Sequence, residues 1–218
     1  MNGVENLGLF IAAGLLLNLT PGPDVLYIVT HAMRRGVRAG MVAALGITAG
    51  CFVHIAAAAL GVSALMAASS TAFAVLKWAG AAYLVYVGLR LLLVKSGELA
   101  IDSIADGPRA ESAGGIKGIF FQGFWTNVLN PKVALFFLAF VPQFIAPGVE
   151  NKAVVFLLLG LLFNINALFV NFGWAFAASW LSRRIGGLQK RMQWLDRAAG
   201  AMFIGFGLKL ALSDNPSN

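Results

Sequence analysis

Apolar residues gather along this chain in runs of about 20, the length that crosses a bilayer as a helix. The pattern predicts six such spans: Leu7–His31, Gly40–Met66, Ala72–Val94, Ile116–Phe144, Ala153–Leu181 and Ala198–Leu212. The sixth is short and rich in glycine. Polar segments between the runs are brief, except for one near the middle of the chain. The fold expected is an all-α polytopic membrane protein.

Two of the runs are interrupted from within. The first contains Leu19-Thr20-Pro21-Gly22-Pro23-Asp24, and the fourth contains Leu129-Asn130-Pro131-Lys132. Proline removes a backbone donor and clashes with the preceding turn, so helix breaks are expected at Pro21, Gly22, Pro23 and Pro131. Lipid offers no partner to a freed carbonyl, which is tolerated only against protein or a water-filled cavity. Each break also carries a charge. Asp24 lies ten residues before Arg34, about 15 Å along a helix and roughly half the hydrocarbon thickness. Lys132 follows Pro131 midway through the fourth span. Intramembrane charge is costly and marks a functional site by default. The competing reading is a buried ion pair that pins the two breaks together and is destabilising to disrupt.

Charge in the loops sets the expected orientation. Arg34, Arg35 and Arg38 follow span one. Arg90, Lys95, Arg109 and Lys117 surround loop 3–4, and Arg183, Arg184, Lys190, Arg191 and Arg197 lie between spans five and six. These hold 12 of the 16 Lys and Arg. The positive-inside rule then places those loops in the cytoplasm and both termini outside, which requires an even number of spans. Residues 95–115 mix charge with Gly, Ser and Pro and read as a flexible linker. They divide a first three-helix unit, 1–94, from a second, 116–218. Leu19-Thr20-Pro21 parallels Leu129-Asn130-Pro131, and Gly88-Leu89-Arg90-Leu91 parallels Gly207-Leu208-Lys209-Leu210, at offsets of 110 and 119. An odd-numbered unit inserted twice has opposite orientations, so two inverted three-helix repeats are expected, with a site on broken helices at the midplane.

Composition agrees. The chain is 59% hydrophobic and 11% charged, with mean hydropathy +0.81, against about 25% charged in globular proteins. Its net charge of +7 is explained by topology, so nucleic acid is not an expected partner. Cys51 is the only cysteine, which excludes an internal disulfide. The first residues lack the basic region of a signal peptide, so span one is expected to remain.

Polar residues inside the spans supply the other candidates. Asn127 and Asn130 flank the second break and Asn18 precedes the first. Their amides either contact a ligand or satisfy freed carbonyls. Gln122, and Asn164 and Asn171 on one helix face, read as helix-packing amides. Asp24 and His54 are the candidate proton relay, His54 because imidazole titrates near neutrality, against the alternative of a packed neutral ring. His31, beside arginines, is expected to be solvated. Gly36, Gly40, Gly46 and Gly50 permit close helix contact, inside the chain or in a homodimer. No metal site or cofactor is expected.

The motifs taken together resemble the lysine exporter superfamily, and within it the homoserine/threonine efflux (RhtB-type) branch. The carrying residues are Pro21-Gly22-Pro23-Asp24, Gly88-Leu89-Arg90-Leu91, and Phe120-Phe121-Gln122-Gly123-Phe124 leading to Asn127 and Leu129-Asn130-Pro131-Lys132. The resemblance spans essentially the whole chain. It implies export of amino acids or close analogues from the cytoplasm across a bacterial-type inner membrane, driven by protons or by exchange. It also marks Pro21, Gly22, Pro23, Asp24, Asn130, Pro131 and Lys132 as motif positions. A zwitterionic substrate has an ammonium for Asp24 and a carboxylate for Lys132, with Asn127 and Asn130 beside them. Two other classes fit less well. A cation exporter would carry several intramembrane carboxylates. A membrane enzyme would need paired redox cysteines or clustered metal ligands.

Overall fold

The computed structural model describes residues 3–62, 115–146 and 148–182, with scattered helical positions between 71 and 89 and between 201 and 208. The expected spans Ala72–Val94 and Ala198–Leu212 otherwise lie outside the described residues. So do residues 95–114 and the basic loop at 183–197.

The described chain is helical throughout. Helix α1 (Leu7–Leu19) ends where Pro21 can no longer donate to Leu17. Thr20, the residue before that proline, is extended. Pro23 then opens α2 (Pro23–Arg35) at its first position, where a missing N–H costs nothing. The two helices meet at 51°. Arg34 and Arg35 lie in the last turn of α2, where cations favour the helix dipole. Gly36 follows at φ +83°, a conformation that excludes most side chains. The chain turns there into α3 (Val37–Ala57), which continues as a π turn over Ala58–Val62.

The second broken pair repeats this plan. Helix α4 (Gly115–Val128) stops before Asn130-Pro131, and α5 (Pro131–Leu135) starts on the proline. A π turn, Phe136–Phe140, and a 3-10 turn, Val141–Phe144, carry the helix onward. The bend across this break is 47°. Helix α6 (Lys152–Ser182) is unbroken over 31 residues. By length and composition α6 and Val37–Gly61 can each cross a membrane, and each bent pair passes the same test as one span. That makes up to four candidate spans among the described residues.

Helix α3 is the hub, packing chiefly on α4 and α6. Its glycines allow backbone-to-backbone contact with α4. A Cβ at Gly46 would meet the Phe120 carbonyl oxygen, and one at Gly50 would lie 2.5 Å from that of Phe124. Gly123 answers from α4, 2.9 Å from the Ala43 oxygen by the same measure. Gly40 fits between Ala32 and Ala175. This small-residue face is therefore used inside the chain. Phenylalanines fill the other side: Phe10 lies on Phe144 (5.3 Å between ring centres) and Phe136 on Phe163 (4.8 Å). The start of the chain is tied to the end of the second broken pair. The Glu5 amide donates to the Phe144 carbonyl at 2.9 Å, and that of Ala146 to Gly3 at 3.0 Å.

Large apolar side chains also face outward among the described residues. Leu60 and Leu129 are 74% exposed and Phe169 70%, and Phe121, Trp125 and Trp180 also face outward. Contiguous apolar surface of this kind needs a partner other than water, and lipid supplies one.

His31 corrects an expectation of solvation. It is only 5% exposed. The turn at Gly36 folds α3 back along α2, and α6 packs on α2 as well. Asp24, Ile28 and His31 form the inward stripe of that helix. The His31 Nδ1–H donates to the Tyr27 carbonyl at 3.0 Å, and its ring lies 4.3 Å from that of Tyr27.

Candidate functional site

Pro21 and Pro131 each strip one carbonyl of its helical partner, and a side chain from elsewhere in the chain occupies it. Pro21 has no N–H for Leu17, four residues back. The Lys132 ammonium donates to the Leu17 oxygen at 3.1 Å and to the Thr20 oxygen at 3.1 Å. It thereby caps the C-terminal end of α1, where carbonyls are unpaired and the dipole is negative. Gly22 leaves room for it: a Cβ there would lie 3.1 Å from Nζ. Pro131 likewise has no N–H for Asn127. The Asn127 carbonyl accepts from His54 Nε2–H at 2.9 Å and from the Asn130 amide at 2.9 Å.

The polar side chains at the breaks divide their work. Asn130 Oδ1 accepts from the Lys132 amide at 3.0 Å, the N-cap bond of α5. Asp24 occupies the first turn of α2, near the positive end of that helix dipole. Its Oδ2 accepts from Asn127 Nδ2 at 2.7 Å. Asp24 is 8% exposed and Lys132 7%, yet the two form no direct ion pair within 4 Å. The buried pair considered as the structural alternative is not made. Lys132 is committed to carbonyls instead.

Between the breaks is a cavity of about 20 Å³, room for about one water. Asp24, Lys132 and Asn127 line it, with Asn18 from α1, Thr48 and Cys51 from α3, and Asn164 and Asn171 from α6. Leu17, Val25, Ile47, Val133, Phe163 and Ala167 supply the apolar wall. Of the residues singled out from sequence, Asn130 and His54 are not on this wall; they support the break behind it. Gln122 also serves packing, accepting from the Tyr27 hydroxyl at 3.4 Å. Asn164 does more than pack. Its Nδ2 donates to the Thr48 carbonyl at 3.1 Å while the residue faces the cavity. Thr48 was missed in the sequence. Its spacing from Cys51 on one apolar span put both on one helix face, but only the packing shows what that face borders.

Residues 15–214 match the LysE type translocators, which is nearly the whole chain. The chain belongs to that family. The translocator is 33% identical over 214 residues to an uncharacterized membrane protein of Pseudomonas aeruginosa, covering 96% of each chain. It is 30% identical to a homoserine/homoserine lactone efflux protein of Salmonella typhimurium, over 93% of this chain and 94% of that one. A leucine efflux protein of Salmonella choleraesuis is 26% identical over 96% of each. No solved structure matches the translocator.

Proposed function

We propose that this translocator exports small amino acids from the cytoplasm by proton antiport, with Asp24 as the group that protons and substrate share. The observation that carries the reading is Asp24 itself. It is a buried carboxylate at a helix break, with one oxygen bonded to Asn127 and the other unpartnered, on a cavity that Lys132 also lines. The relatives named for efflux of homoserine, its lactone and leucine support this substrate class.

In the proposed cycle the deprotonated carboxylate binds the substrate ammonium from the cytoplasmic side. A proton arriving from outside removes the amine's partner and releases the substrate outward. The proton then leaves inward after the site reorients. Lys132 has three N–H donors, two of them on carbonyls, which leaves one for the substrate carboxylate. Asn127 positions Asp24, and Asn130 holds the backbone that carries Lys132. His54 is the proposed relay; it bonds the backbone of Asn127, the residue whose side chain holds Asp24. The enclosing architecture in this proposal is two inverted three-helix repeats, 1–94 and 116–218, joined by a cytoplasmic linker at 95–115. Both termini lie outside the inner membrane.

Purified protein in liposomes loaded with single amino acids, with and without an inward proton gradient, tests the function. Gradient-stimulated efflux of homoserine or leucine is expected. The Asp24→Asn variant is expected to insert normally and lose proton-driven export while retaining some downhill exchange. Restored proton-driven export in Asp24→Asn/Lys132→Met would refute the mechanism, since neither the titrating carboxylate nor the cationic clamp would remain. Reporter fusions at Asp106 and Asn218 test the topology, and a cytoplasmic signal at Asn218 would sink it.

A further inference from the structure

We infer that the cavity is a three-acceptor seat for a primary ammonium, in which Asn164 of α6 is a specificity-determining residue alongside Asp24 and Asn127. The inference rests on the export reading and narrows its substrate class to primary amines.

Three residues that line the cavity each carry a buried side-chain oxygen with no hydrogen-bond partner: Asp24 Oδ1, Asn127 Oδ1 and Asn164 Oδ1. All three residues are more than nine-tenths buried. An unpaired buried polar atom is costly, and three on one cavity call for a ligand that donates. Their identity as oxygens follows from what the amide nitrogens do. Asn127 Nδ2 is taken by the Asp24 carboxylate and Asn164 Nδ2 by the Thr48 carbonyl. The Thr48 carbonyl cannot donate, and neither can Asp24 while it is a carboxylate, so in that state neither amide can be reversed. Each amide is thus held with its oxygen free by a bond on its other arm.

Three acceptors, one of them anionic and also faced by the Asn130 side chain, equal in number the three N–H groups of a primary ammonium. The opposite polarity is also present. Asn18 Nδ2 is a buried donor without a partner, and both it and Lys132 line the same cavity. Donors and acceptors together suit a zwitterion. Size agrees for the head group alone: about 20 Å³ accommodates one water-sized group, and an ammonium is that size. The remainder of the substrate requires the apolar wall of Val25, Ile47, Val133 and Phe163 to move.

The test compares a primary amino acid that the liposome assay shows to be exported, leucine or homoserine, with its N-methyl derivative. Methylation removes one donor of three and leaves the charge. The N-methyl compound is expected to be carried about tenfold more slowly, as for loss of one hydrogen bond to a charged group. In Asn164→Ala the primary amino acid is expected to fall about tenfold and the two rates to converge. The ratio of the two rates is independent of how much variant protein folds, the rate per reconstituted protein shows which of the two changed, and the wild-type comparison needs no variant. Equal rates in the wild type would overturn the inference and leave export standing. Convergence in Asn164→Ala through a gain by the N-methyl compound would also overturn it, since the discrimination would then be steric. If no amino acid is exported by the wild type, the export reading fails and the ammonium seat with it.

Discussion

The two breaks look alike in sequence and are held in different ways. The second is narrow and closes largely on itself. Asn130 caps α5 with its side chain and bonds the Asn127 carbonyl with its own amide, and His54 adds a bond from α3. The first is wider, with Thr20, Pro21 and Gly22 outside any helix. Its freed carbonyls depend on a lysine some 110 residues away in sequence. The difference teaches that one half of the site is locally specified and the other is assembled only when the two breaks meet. Lys132 therefore joins the breaks through backbone carbonyls, and Asp24 bonds Asn127 rather than the lysine.

The comparison can be broken most severely at Lys132. Lys132→Met leaves the Leu17 and Thr20 carbonyls bare, at about 1–3 kcal/mol for each unsatisfied group. A large fall in thermal stability in detergent is expected. Adding Asp24→Asn should not recover it, because the aspartate was not the lysine's partner. Full recovery in the double variant would mean that the ion pair, not the carbonyl cap, holds the breaks together.

Gly22→Ala sharpens the same point from the other side. The added methyl crowds Lys132 Nζ and is expected to cost about 1–3 kcal/mol, as overpacking does. Measured melting should place it between wild type and Lys132→Met; an unchanged melt would show that the first break has slack.

The smallest effect is expected at the self-contained break. Asn130→Ala removes an N-cap worth about 1 kcal/mol and leaves both lysine bonds available. A loss as large as that of Lys132→Met would show that the second break is no more autonomous than the first.

Much of the helical plan was legible because its causes are local. The apolar run Ala153–Leu181 is α6 to within a residue at each end, since exclusion of apolar side chains from water acts on any such run. Proline acts on its own turn wherever it stands, so α1 and α4 stop before Pro21 and Pro131. The choice between partners was not legible. Asp24 and Lys132 at comparable depth invite pairing, and Coulomb attraction alone would bring them together. Carbonyls stripped by proline compete for the same ammonium, and that competition is resolved only by three-dimensional proximity.

The sequence by itself determined that this is a helical membrane protein of the LysE type, where its charges fall and which helices contain prolines. Those properties depend on composition and on neighbours within a few residues. Tertiary structure decided that His31 is buried, that the α3 glycines face α4, that Lys132 caps α1 and that Asn164 joins Asp24 in lining one cavity. Each of these depends on which faces of distant helices meet, and a hydrogen bond exists only when both partners arrive within about 3 Å.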